Sequence, residues 1–222
     1  MMAYNSAVNR THLYPAPAGT HRRAGLAVPA VPTTGAPSGG TITDNRKYAV
    51  CWVIQAGGVT VVRSNLSPLT AAVTLAAQQV VITRPTAASE GETHWELYIY
   101  SDDDNYAIGR LRVTTAIGTT TVTDNTSDLS SFITAPPLSG ANTPFPSVKF
   151  LLTDGSHLIG AGAWETAAGT GFTPSPRLVC WTPALGTSDT DGDDERLVNT
   201  TDTKNFLYVD QGITGMGGPL YG

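Results

Sequence analysis

The stretch THWELYIYSDDDNYAIGRLRVTTAIGTTTVTDN, residues 93–125, decides how the chain is read. An acidic knot, Asp102, Asp103 and Asp104 followed by Asn105, separates alternating runs. Before it, Trp95, Leu97 and Ile99 point one way, and His94, Glu96, Tyr98 and Tyr100 the other. That alternation predicts a strand with one buried and one semi-polar face. After it, residues 109–113 suit a returning strand with Arg110 and Arg112 outward, and GTTTVTDN suits a third strand ended by an Asp-Asn turn. Asp and Asn favour turns because their side chains bond nearby backbone N–H groups and tolerate left-handed geometry. The knot is therefore expected to be a hairpin turn. Calcium is the functional alternative, since hard cations prefer clustered carboxylates. A catalytic pair is disfavoured, because adjacent side chains on a strand point apart.

Upstream, RKYAVCWVIQAGGVTVVRSNLSP (46–68) has the grammar of strand, glycine-pair turn and strand. Tyr48, Val50, Trp52 and Ile54 share one face and Ala49, Cys51 and Val53 the other, so the first strand is apolar on both sides and expected to be central. Val73 and Leu75, then Val80 and Ile82, recur at period two. A helix over residues 69–80 is rejected on its β-branched content. Downstream, the proline-rich linker 130–147 leads to VKFLLTDGSHLIGAGAW (148–164), a strand, an Asp154-Gly155 turn and a strand; PRLVCWTP and NFLYVDQG add two more.

The totals agree with an all-β chain. Of 222 residues, 41% are apolar and only 14% charged, with 23 Gly and 15 Pro, which suits short strands and many turns. Residues 1–45 show no period and are rich in Pro, Ala and Gly, so they are expected to form an extended arm that clasps neighbouring subunits, with Arg10, Tyr14, Arg22, Arg23 and Leu26 as its contact residues. Formal charge is +2 over residues 1–45, −2 over 46–136 and −5 over 137–222. No basic stripe of a nucleic-acid reader is present. No apolar run approaches a membrane span, and the N-terminal residues lack the apolar stretch of a secretory signal. Cys51 and Cys180 each precede a Trp inside an apolar run. They read as buried free thiols, with a disulfide as the alternative.

Two of these segments resemble fibronectin type III-like modules. KYAVCWVIQAGGVTVVRSNLSP resembles their tyrosine-bearing strand, glycine hairpin and S-x-x-S exit. THWELYIYSDDDNYAIGRLRV with GTTTVTDN resembles their paired strands and T-x-x-D ending. SVKFLLTDGSHLIGAG and PRLVCWTP, which follow, are similar to the first blade of β-propeller-like tail proteins of bacteriophage virions. The resemblance covers residues 46–215. It implies a fibronectin/immunoglobulin-like sandwich over 46–136, a second small β unit or partial propeller blade over 137–222, and a non-enzymatic role in a phage tail as a nozzle, ring, hub or fibre-attachment protein. The implied partners are other copies of the chain and other virion proteins, in a virion made in the host cytoplasm, with no membrane and no direct nucleic-acid readout.

Tyr48, Val50, Trp52, Trp95, Leu97 and Ile99 are the expected core. SDTDGDDER (188–196) reads as a solvated acidic loop, with Asp189, Asp191, Asp193, Asp194 and Glu195 as calcium candidates. It departs from an EF-hand loop, which needs Gly at position 6 and Glu at 12, whereas here Gly192 is fourth and Thr200 twelfth. His12, His21, His94 and His157 are scattered and imply no metal, and no cofactor is expected. G-x-S-x-G, H-E-x-x-H and phosphate-cradling glycine loops are absent from the sequence. The competing function is a carbohydrate-binding or adhesion module of a larger surface protein or hydrolase, with a glycan receptor as partner and Tyr98, Tyr100 and Trp164 as a stacking platform; packing is the preferred role for these aromatics.

Overall fold

The computed structural model describes residues 25–137 continuously, and also 2–4, 12–14, 22–23, 142–145, 148–153, 158–163, 176–182, 196–197, 199–200, 203–204 and 206–208. Among these residues the regular structure is all β, in antiparallel sheets, apart from a single 3-10 turn at Asp102–Asp104. The chain forms two compact units, each discontinuous in sequence. One comprises Val28–Ile54 and Leu66–Pro137; the other comprises Met1–Ala27, Gln55–Asn65 and Leu138–Gly222. This differs from three consecutive segments bounded at 45 and 136. Sequence order does not reveal which sheet an intervening hairpin packs with.

The first residues are not an irregular arm throughout. Strands β1 (Met2–Tyr4), β2 (His12–Tyr14) and β3 (Arg22–Arg23) pair antiparallel in that order, Met2 opposite Tyr14 and Leu13 opposite Arg22. Strands of two or three residues are too short for a period-two pattern to register. Tyr14, Arg22 and Arg23 lie in these strands; Arg10 lies outside the described residues. Leu26, expected to reach a neighbouring subunit, is instead fully buried.

The unit built on residues 28–54 and 66–137 contains β4 (Thr33–Thr34), most of β5 (Ser38–Ala56), β7 (Val73–Thr83), β8 (His94–Ser101), β9 (Arg110–Ala116) and β10 (Thr121–Asp124). The sheet order is β10-β7-β5-β8-β9, with β4 also pairing β7. Strand β5 starts at Ser38, inside the segment expected to be arm, and Ile42 on it is fully buried. Its first part pairs β7 and its second part pairs β8, the two ladders meeting at Arg46, which faces both Val73 and Ser101.

Beyond Arg46 the backbone groups of β5 that β8 leaves free are met by residues 67–70. The Val50 N–H donates to the Ser67 hydroxyl and the Tyr48 N–H to the Thr70 hydroxyl, while the Ser67 and Thr70 N–H groups donate to the carbonyls of Val50 and Tyr48. An edge that would otherwise expose unpaired polar groups is thus closed by two hydroxyls and two amides.

Strands β5 and β8 are buried on both faces. Tyr48, Val50, Trp52, Trp95, Leu97 and Ile99 are all buried. The other face of β8, expected to be semi-polar, is also inside: Glu96, Tyr98 and Tyr100 are buried, and Ala49, Cys51, Tyr98 and Tyr100 form one cluster packed against Leu66, Tyr106 and Leu111. The Tyr98 hydroxyl donates to Glu96 at 2.7 Å, so these two polar ends satisfy each other and the face closes over them.

Strand β7 changes face partway: Leu75 is buried at one parity, Val80 and Ile82 at the other. Ala77 sits between them at φ 54°, and the β5–β7 register shifts between Gly39 and Thr43. At Gly40 a Cβ would come within 2.5 Å of the Gln79 backbone nitrogen and 2.6 Å of Asn125 Oδ1, so only glycine fits this crossing.

In the other unit, Gly57 and Gly58, both at positive φ, turn the chain into β6 (Val59–Arg63). Asn142 ties the exit of that hairpin, its N–H donating to Asn65 and its side-chain amide to the Ser64 carbonyl. The C-terminal strands are β11 (Thr143–Pro144), β12 (Val148–Thr153), β13 (Leu158–Ala163), β14 (Leu178–Trp181), β15 (Arg196–Leu197), β16 (Asn199–Thr200), β17 (Thr203–Lys204) and β18 (Phe206–Tyr208). Four of them make an antiparallel sheet in the order β12-β13-β14-β18, while β11 pairs β15 and β16 pairs β17. The Asp154-Gly155 turn lies outside the described residues. Neither Cys51 nor Cys180 forms a disulfide and both are buried, and burial pushes the Cys180 thiol up to about 12.

Candidate functional site

The polar groups of the first-described β5 unit converge at the start of that strand. Asp124 ends β10, Arg46 marks the ladder switch on β5, and Tyr48 follows it on the same face. Arg46 is almost wholly buried, its Nε 2.9 Å from Asp44 Oδ2 and its Nη1 2.7 Å from Asp124 Oδ2. The Tyr48 hydroxyl donates to the same Asp124 oxygen at 3.0 Å, and the Thr126 N–H donates to Asp124 Oδ1 at 3.1 Å. Burial alone would lower the Arg46 pKa, but Asp44 and Asp124 hold it above its ordinary value. Burial first, and then the Asp124 charge, push the Tyr48 phenol well up. Asn125 extends the clamp: its Oδ1 accepts from the Thr41 N–H at 2.9 Å and from the Thr41 hydroxyl at 3.1 Å.

The acidic knot faces this cluster. Residues 102–104 form the 3-10 turn, with the Ser101 hydroxyl accepting from the Asp103 N–H at 3.1 Å and Asn105 in left-handed geometry at φ 55°. Tyr106 repeats that geometry at φ 57°, which is uncommon for an aromatic residue, and Lys47 lies 4.2 Å above its ring. The expected hairpin turn is therefore present, built by the Asp/Asn chemistry that predicted it. Asp104 holds Arg110 through Oδ2 at 2.5 Å. Asp102 leans back onto β5, accepting from the Asn45 N–H at 3.2 Å and from the Asn45 side-chain amide.

Carboxylate oxygens of Asp44, Asp102 and Asp103 lie within 4.8 Å of one another. Burial, and then the Asp102 carboxylate, push the Asp44 carboxyl up despite Arg46 and Ser101. Contact with Asp44, followed by the two Asn45 hydrogen bonds, brings Asp102 down to about 2. Asp44 and Asp103, with Ser101, Asp104, Arg110 and Asp128, line a pocket of about 330 Å3. The arrangement can exchange a proton between carboxylates or hold a hard cation.

Sequence reasoning missed Asp44, Arg46 and Asp124 as a set. The signal was present in TDNRKY, inside β5, and TVTDN, at the end of β10, two charged stretches on strands that the sheet order places on either side of β7. The Asp189, Asp191, Asp193, Asp194 and Glu195 group lies outside the described residues, as do His21, His157 and Trp164. Tyr98 and Tyr100, named above as a glycan platform, are in the core. No helix among the described residues is long and apolar enough to cross a membrane. A scan against protein-family models finds no match, and no curated protein matches the chain in sequence.

Proposed function

We propose that the chain is a structural component of a phage virion tail, a nozzle, ring, hub or fibre-attachment protein that works through subunit contacts. One observation carries this. The stretches 147–162 and 176–183, whose sequence resembles a blade of phage tail propellers, supply β12, β13 and β14 of a four-stranded antiparallel sheet, the unit from which a propeller blade is made. The two segments that resemble fibronectin type III modules supply β5, β8, β9 and β10, antiparallel strands of the kind from which such a sandwich is built. Copies of the chain and other virion proteins are the partners this role demands, with a closed ring as the simplest symmetric assembly.

The test has two arms. Light scattering of the full chain should give a discrete multiple of 23.2 kDa, and removal of residues 1–23, which carry β1–β3, should reduce it to the monomer. Mass spectrometry of particles grown from the encoding genome should find the chain in the tail fraction. A chain that stays monomeric at all concentrations and is missing from particles removes the proposal.

A further inference from the structure

We propose that the start of β5 and the Asp102–Asp104 turn together form a calcium site, with Asp44, Asp102 and Asp103 as its carboxylate ligands. The proposal is independent of the tail reading and concerns one folded unit only. Three carboxylates on two separate elements bring oxygens within 4.8 Å of one another. One ion bonded to each at ~2.4 Å spans that spread, and calcium accepts such irregular oxygen sets where magnesium demands a tighter octahedron.

The independent observation is at Asp44. Its side chain is only 7% exposed, and Oδ2 is held by Arg46. Its Oδ1 is buried with no hydrogen-bond partner. A buried carboxylate oxygen without a partner is costly, so its retention needs an explanation. Arg46 bonds Asp44 Oδ2 and Asp124, Asn45 bonds Asp102 through both its backbone and its side chain, and the Ser101 hydroxyl, although near enough to favour the charged form of Asp44, makes no hydrogen bond with Oδ1. Arg110 bonds Asp104 Oδ2 and leaves Asp104 Oδ1 buried and unpartnered as well. A cation beside Asp44 meets Oδ1 and at the same time neutralises two carboxylates that otherwise repel. Asp102 and Asp103 are exposed, so an ion enters without unfolding the turn. The remaining coordination falls to water, as is ordinary for calcium.

The experiment uses the full chain in calcium-free buffer. Calorimetric titration with calcium should show one ion bound to this site, and calcium at ~10 times the dissociation constant should raise the melting midpoint by about 3–6 °C. Terbium should bind in its place with emission sensitised by Tyr106, which feels the charges of Asp102 and Asp44. Asp102→Asn and Asp103→Asn, which preserve the turn, should each weaken binding by at least ~10-fold. The double variant Asp189→Asn, Asp191→Asn should keep it, which separates this site from the loop at 189–195. The ion-free melting midpoint of each variant checks that it is folded. Absence of binding at millimolar calcium, equal affinity in Asp102→Asn, or loss of all binding in the 189/191 variant overturns the proposal.

Discussion

Asp124 and Asp44 both hold Arg46, yet their surroundings differ. Asp124 is fully buried, and each of its oxygens is engaged: Oδ2 by Arg46 and Tyr48, Oδ1 by the Thr126 N–H. Asp44 is nearly as buried but keeps Oδ1 unpartnered, beside a pocket and a second carboxylate. The first is a closed network that joins the end of β10 to β5. The second is open on one side. A buried charge stabilises a fold only when its partners are complete, and an incomplete set marks a place where a proton or an ion can enter.

Breaking the closed side should have the largest effect. Asp124→Ala leaves Arg46 with Asp44 alone and takes the acceptor from Tyr48 and from the Thr126 N–H. Loss of one partner of a buried pair costs about 3–5 kcal/mol. Urea unfolding at neutral pH should show a loss of that order, with an unchanged slope. A loss below ~1 kcal/mol, the range of an exposed pair, would mean that Asp124 is not closed off from water.

Tyr48→Phe tests the same network more gently. It removes one neutral donor to an oxygen that Arg46 still occupies, and the ring stays in the core. A typical hydrogen bond contributes about 1 kcal/mol net, so that is the expected loss. A loss as large as that of Asp124→Ala would place the phenol, not the guanidinium, at the centre of the network.

How far the sequence exposes this arrangement depends on the length scale of each signal. The alternation in YAVCWVI and HWELYIY marks β5 and β8, and the Gly pair and the Asp-Asn knot mark their turns, because these signals are local. The burial of Tyr98 and Tyr100 was not legible, since it depends on Leu66, Tyr106 and Leu111 arriving from other parts of the chain. The face change in β7 is written only in the backbone of Ala77, a residue type that gives no hint of positive φ. Ser67 and Thr70 look like linker residues, although their hydroxyls close an edge of β5. The knot was legible as a turn. Its approach to Asp44 was not, because it follows from a pairing between residues 57 positions apart.

The smallest effect sharpens the open side of the comparison. Asp102 is depressed from 3.8 to about 2, so its contribution to stability is present above its unfolded value and is lost as pH falls through the folded one. Asp44 is raised above 3.8, so its contribution has the opposite sense: it is complete below the unfolded value and is lost as pH rises through the folded one. The two opposing slopes come from one contact, and Asp102→Asn removes the carboxylate that causes the second largest part of the Asp44 shift. In calcium-free buffer, the melting midpoint of the wild type should fall by about 1–2 °C more than that of Asp102→Asn between pH 4 and pH 2, since Asp102 is exposed and its share is small. Above pH 4 the variant should be the flatter of the two, because burial, opposed by Arg46 and Ser101, then sets the Asp44 titration without the Asp102 contribution. Parallel profiles across both ranges would show that the two carboxylates do not sense each other, and Asp44 would then face its pocket without a partner on the turn.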